Sequence, residues 1–97
     1  MHASIRRYKV AKGSIDEVVR RVDTNYLPAL AKKRAFIGYF VVDVGHDELV
    51  SITLFGDEFG TKDATEFSAE WVKEHLHEFN VKREENFEGK VVVHGGE

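Results

Sequence analysis

Phe36-Ile-Gly-Tyr-Phe-Val-Val-Asp-Val-Gly-His-Asp-Glu-Leu-Val-Ser-Ile-Thr-Leu-Phe55 holds two β-rich apolar runs on either side of a polar turn. The spacing predicts one strand over roughly residues 36–44, a turn at Gly45-His-Asp-Glu48, and a second strand over roughly residues 49–56. Phe40, Val42 and Val44 share one face of the first strand, and Val50, Ile52 and Leu54 share one face of the second. For these two sets to lie on one side of a sheet, paired residue numbers must sum to an even value, which needs an odd-length loop or a bulge. The opposite face then carries Tyr39, Val41, Asp43, Ser51, Thr53 and Phe55. Both faces are too apolar to be left in water. Helices flanking the hairpin can cover one; the other requires a cover the chain does not encode, and we read that cover as a second copy.

Upstream, residues 3–10 read as a strand in which Arg6, Tyr8 and Val10 share a face, and the parity alone does not say which face is inward. Ser14-Ile-Asp-Glu17 has the spacing of a capping box, with the serine oxygen accepting the Glu17 N–H. Ile15, Val18, Val19, Val22, Tyr26 and Leu30 then follow a 3.6-residue period on one helix face. Asp16–Arg20 and Glu17–Arg21 have the favourable i,i+4 orientation. Pro28, the one proline, removes a helix bond and crowds the preceding turn, so a kink near residues 24–28 is expected.

Downstream, residues 56–60 read as loop with Phe59 folded in. A second helix is expected from Thr61 or Asp63, with Asp63 as its cap. Ala64, Phe67, Ser68, Trp71, Val72, His75, Leu76 and Phe79 form its apolar stripe, and Asn80 suits a left-handed position beyond it. Residues 81–86 read as a charged connection and residues 87–94 as the last strand.

Ninety-seven residues make one domain, residues 1–97. A net charge of −3 gives no field that favours nucleic acid or an anionic membrane. The absence of cysteine removes disulfides, thiolate catalysis and thiolate metal sites. No apolar run has the length of a membrane span or a signal peptide, so the expected location is cytoplasmic.

The order strand, helix, strand, strand, helix, strand with right-handed crossovers describes an α+β fold, a ferredoxin-like βαββαβ sandwich: a four-stranded antiparallel sheet with two helices on one face. The expected bare face presents Tyr39, Val41 and Phe55. Two such faces stacked about a two-fold axis make a homodimer through the open sheet face, a dimeric α/β barrel.

Short segments carry a resemblance along nearly the whole chain. They are Arg6-Arg-Tyr-Lys-Val10 followed by Gly13-Ser14, Phe36-Ile-Gly-Tyr39 leading to Val42-Asp43, Val50-Ser-Ile-Thr-Leu-Phe55, Phe67-Ser68 with Trp71-Val72, and Glu88-Gly89. In order and spacing the chain resembles the dimeric α/β-barrel superfamily, and within it small bacterial proteins of the antibiotic biosynthesis monooxygenase type. Members often carry Pro-Gly before the second strand, where this chain has Arg34-Ala35. The resemblance implies oxidation of a small hydrophobic or aromatic molecule in an apolar pocket, with no metal, flavin or other cofactor. It also admits a non-catalytic homodimer that binds a small molecule or supports a pathway, and a haem-binding or haem-degrading protein.

The oxygenases of this type use asparagine, tryptophan, tyrosine and arginine side chains. The corresponding candidates are Trp71, Asn25, Tyr39 and Arg7, with His75 one turn from Trp71 as an acid, base or haem ligand. Each has a plainer structural reading. Trp71 is core, Asn25 satisfies a carbonyl freed by the kink, Tyr39 is an interface aromatic, and His75 is half-buried and bonded to backbone. His75 and His77 point to different sides of a helix, so Glu74-His-Leu-His-Glu78 is no zinc motif.

Overall fold

The computed structural model describes residues 1–96. Strands β1 (His2–Lys9), β2 (Phe36–Gly45), β3 (Glu48–Phe55) and β4 (Lys82–Lys90) form an antiparallel sheet in the order β2-β3-β1-β4. Helices α1 (Ile15–Arg21) and α2 (Leu27–Ala31) are joined by a π-helical turn, Val22–Tyr26, and α3 (Glu58–His75) is followed by a 3₁₀ turn at His77–Phe79. This is the expected ferredoxin-like α+β arrangement.

The hairpin register follows the parity argument. Phe40 pairs with Ile52 and Val42 with Val50, while the pairing shifts between Asp43 and Gly45, leaving Val44 as the extra residue. His46 and Asp47 close the turn with φ of 55° and 60°, the left-handed pair that a two-residue hairpin loop requires.

Which face is covered is the reverse of the expectation. Leu49, Ser51, Thr53 and Phe55 of β3, with Ser4 and Arg6 of β1, are buried on the helix side. Tyr39 and Val41 pack against the same core. The bare face carries the wholly apolar set instead. One row runs across all four strands as Phe40, Ile52, Ile5 and Phe87, of which Phe40, Ile5 and Phe87 are exposed by 56, 39 and 58 %. In the next row, Arg7 bridges to Glu48 and Glu85. The physical reason is that the inner face is completed by helix-borne aromatics, whereas none of the described residues covers the outer face.

The first helical region departs from its expected details. Ser14 makes no side-chain cap; its hydroxyl turns back and donates to the Ala11 carbonyl. Glu17 is therefore free for Arg20 and Arg21, and Arg20 pairs with it rather than with Asp16. Three successive spacings of four separate Val18, Val22, Tyr26 and Leu30. On a regular helix each overshoots a full turn by about 40°. The π turn, in which the Leu27 N–H reaches the Val22 carbonyl, absorbs part of that drift. Val18, Tyr26 and Leu30 stay buried while Val19 turns outward. The same widening precedes Pro28, which lacks the N–H to close a regular turn.

Helix α3 begins earlier than expected, at Glu58, because Asp57 is its cap and accepts the Gly60 N–H at 2.8 Å. Phe59 is on the outside, 79 % exposed. Gly60 is required in this first turn: a Cβ there would meet the ring of Phe55 at 2.5 Å. Asn80 takes the left-handed conformation expected of it, φ 50°. Strand β4 starts at Lys82, within the stretch read as a connection, and Val91–Val93 lie beyond its end. Its charged residues suit an edge strand exposed along most of its length.

Candidate active site

Between the inner sheet face and the helices lies a small cavity of about 40 Å³. Tyr39 and Val41 of β2, Leu49 and Ser51 of β3, and Arg6 and Tyr8 of β1 form its floor. Val18, Val22, Tyr26, Ser68, Trp71 and Val72 form its roof. The walls are predominantly apolar, as small-molecule sites usually are.

Tyr26 is the centre of an aromatic cluster. Its ring lies 5.5 Å from Tyr39, 5.4 Å from Phe67 and 5.2 Å from Trp71, centroid to centroid. These are the separations at which tilted and offset aromatic pairs are favourable. Burial pushes the Tyr26 phenol up to about 12, opposed by the nearby Arg6 guanidinium and by the Ser68 hydroxyl. Burial raises Tyr39 further still, reinforced by Tyr26 and Tyr8 and opposed by Arg6. Both phenols are therefore neutral hydrogen-bond donors at neutral pH, not bases.

Trp71 is on the cavity wall, and its indole N–H points to Asn25 Oδ1 at 2.7 Å. Asn25 belongs to the π-helical turn and is exposed. It holds the indole from outside the cavity and satisfies its one donor. Tyr39 reaches the cavity from the floor. His75 stacks on Trp71 at 4.9 Å and 25°, is half-exposed beside Glu74, and does not line the cavity. Arg7, the arginine read alongside Tyr39, is on the bare side of the sheet, and the strands separate the two. Among the described residues, no group of three or more His, Asp or Glu side chains is arranged to hold a metal ion. Among the described residues, no helix is long and apolar enough to cross a membrane.

The sequence reading missed Arg6, Ser51 and the cavity role of Tyr26. Arg6 is 1 % exposed. Its Nη1 and Nη2 donate to Thr65 and Thr53 at 3.3 and 3.2 Å, while its Nε, the Ser51 hydroxyl and the Tyr26 hydroxyl have no partner among the described residues. The available signal was the alternation that puts Arg6 on one face with Val10. An arginine in step with a buried valine is a candidate for an inward-facing charge.

With that geometry established, the chain can be set beside known proteins. No protein-family model matches it, and neither does any curated protein sequence. Solved structures do. A dimeric ferredoxin-like protein from an uncultured marine organism superposes with a TM-score of 0.72 at 15 % identity, covering 99 % of this chain and 97 % of that one. A candidate antibiotic biosynthesis monooxygenase from Chloroflexus aurantiacus gives 0.69 at 13 %, covering 98 and 96 %. SnoaB, a cofactor-independent oxygenase from Streptomyces nogalater, gives 0.68 at 14 %, covering 99 and 97 %.

This chain shares their fold. At such identities the likeness extends to fold alone, and the structural neighbours also include a protein of unknown function from Nitrosomonas europaea.

Proposed function

We propose that this protein is a cofactor-independent oxygenase acting on a planar, hydrophobic aromatic molecule held in the cavity beneath α3. The observation that carries this reading is the apolar cavity walled by Tyr26, Tyr39 and Trp71. The nature of SnoaB, a fold neighbour, supports it.

The chemistry suits a dry site. An aromatic substrate with an acidic C–H gives up that proton to water at the cavity mouth, its carbanion supplies the electrons that reduce O₂, and the proton ends in the water released. An anthrone is the simplest probe: anthrone and O₂ give anthraquinone and water, so one C–H₂ carbon becomes a carbonyl and one oxygen atom leaves as water. Neutral phenol donors at Tyr26 and Tyr39 stabilise the anion as charge develops on the ketone oxygen, and the excluded water strengthens those bonds. Trp71 is the aromatic wall, and Asn25 positions it.

The test is oxygen uptake and quinone formation with anthrone. The expected result is acceleration over the uncatalysed oxidation, reduced in Tyr39→Phe and Trp71→Leu variants that remain folded. Tight binding without acceleration would leave the second reading, a non-catalytic small-molecule-binding protein. The closed Trp71–Asn25 pair favours that reading, since it leaves no free indole donor for a substrate.

The protein is further proposed to act as a homodimer through the bare sheet face, supported by the apolar row across that face and by the dimeric character of a fold neighbour.

A further inference from the structure

Arg6 is an unusual occupant of an apolar cavity. It is 1 % exposed, and among the described residues no carboxylate lies within ion-pair distance of it. Its two bonds go to neutral threonine hydroxyls at 3.2 and 3.3 Å, longer than charge-assisted bonds usually are. The nearest acid in this network is Glu88, exposed on β4 and one hydroxyl removed: Thr65 Oγ1 lies 3.4 Å from its Oε2. A second cation stands close behind. The pairing of β1 with β4 shifts after Arg7, so that Glu84 is skipped and Arg83 comes opposite Tyr8 on the inner face. Arg83 Nη2 donates to Ser68 Oγ at 2.8 Å and to the Thr65 carbonyl at 3.2 Å, and its Nε is also without a partner. Two guanidinium groups thus meet at Thr65, in a protein whose net charge is −3. A buried cation without a counter-ion is costly to keep, and like charges side by side add to that. The Arg6 Nε–H, the Ser51 hydroxyl and the Tyr26 hydroxyl have no hydrogen-bond partner among the described residues; all three residues line the cavity, with these polar atoms buried just behind its apolar surface.

We propose that the cavity recognises an organic oxyanion: its ligand is a planar aromatic acid whose ionised group is received by the Arg6 guanidinium, with Ser51 and Tyr26 as additional donors and Arg83 supplying positive potential from behind. The aromatic body lies against Tyr26, Tyr39 and Trp71. This rests on the reading of the cavity as a small-molecule site and narrows its ligand class. It does not depend on oxidation taking place.

The experiment compares two ligands of nearly equal shape, 2-naphthoate and 2-naphthamide, by calorimetry at neutral pH with the full chain. The expected result is at least about tenfold tighter binding of the naphthoate, in keeping with a charge-assisted bond to a desolvated guanidinium. In Arg6→Met this preference disappears, the two ligands binding with equal affinity. The comparison within the unsubstituted protein is decisive even if Arg6→Met does not fold. Equal affinity for the two ligands overturns the oxyanion proposal and leaves the cavity as a ligand site. A preference that survives in a folded Arg6→Met variant also overturns it. Failure of both ligands to bind at millimolar concentration overturns the proposal together with the reading of the cavity on which it rests.

Discussion

The indole N–H of Trp71 donates to Asn25 Oδ1 over 2.7 Å, and this bond ties the middle of α3 to the π-helical turn of the first helical region. The bond fixes the indole at the cavity wall.

Removing the acceptor leaves a largely buried donor short of a partner, which typically costs about 1–3 kcal/mol. Asn25 is exposed, so water can take its place, and Asn25→Ala is expected at the low end, about 1 kcal/mol by urea denaturation. In a Trp71→Phe background the same substitution should cost almost nothing. Additive effects in this double-mutant cycle would mean that the bond does not form in solution.

The apolar row on the bare sheet face predicts assembly. The unsubstituted chain should sediment at twice its 11.1 kDa mass at micromolar concentration. Ile5→Lys, in the middle of that row, should give an 11.1 kDa particle with its helical signal retained, because Ile5 is 39 % exposed and touches no helix-side core. An unsubstituted chain that is stable and monomeric would remove the argument for a two-fold partner.

Gly60→Ala sets two effects against each other. Alanine favours a helix over glycine by about 1 kcal/mol. A methyl group at residue 60, however, would overlap the fully buried Phe55 ring, at 2.5 Å from its nearest carbon. Overpacking of this kind costs about 1–3 kcal/mol. The clash should prevail because the added methyl also meets Phe55 Cγ and Cβ, at 2.6 and 2.9 Å, so a turn of the ring alone does not relieve it, giving a net loss of about 1–2 kcal/mol. A raised thermal midpoint would show that the first turn of α3 can move away from the sheet.

Two exposed carboxylates and one buried phenol give stability a pH dependence. Hydrogen bonds from Arg20 and Arg21 hold Glu17 at about 2, below its ordinary 4.5, and Arg21 likewise lowers Glu78. A carboxylate depressed in the folded state contributes stability above its ordinary value and loses it as pH falls towards the folded value. For Glu17 that window is about pH 4.5 down to 2. Because these pairs are on the surface, high salt should weaken the effect. At the other end, Tyr26 is raised from 10 to about 12, so its contribution is complete below pH 10 and is lost between 10 and 12. Carboxyl titration by NMR and phenolate absorbance check the two windows. Arg20→Gln should move the Glu17 midpoint back towards 4.5.

Much of the fold was legible in the chain because strand and helix periods are local properties. The parity of Phe40, Val42, Val50 and Ile52 implied a bulge or an odd loop, and the shift at Val44 supplies it. Asn80 signalled its own left-handed turn. The start of α3 was less legible, because Gly60 lowers helix propensity and its justification, the Phe55 ring, is distant in space rather than next in sequence. Strand β4 was misplaced for a related reason: its charged residues face solvent from an edge, so no apolar alternation marks them.

The amino-acid order by itself determined the succession of elements, the hairpin register and the existence of two distinct sheet faces, since each follows from repeat periods and turn chemistry within a few residues. Only the tertiary structure decided which face the helices cover, because both faces are apolar enough to be buried and the choice depends on how Tyr26, packed against Phe67 and Trp71, meets Tyr39 across the interior. It also decided that Arg6 and Arg83 converge on Thr65 inside the molecule. That juxtaposition joins residues 6, 65 and 83 and has no local signature.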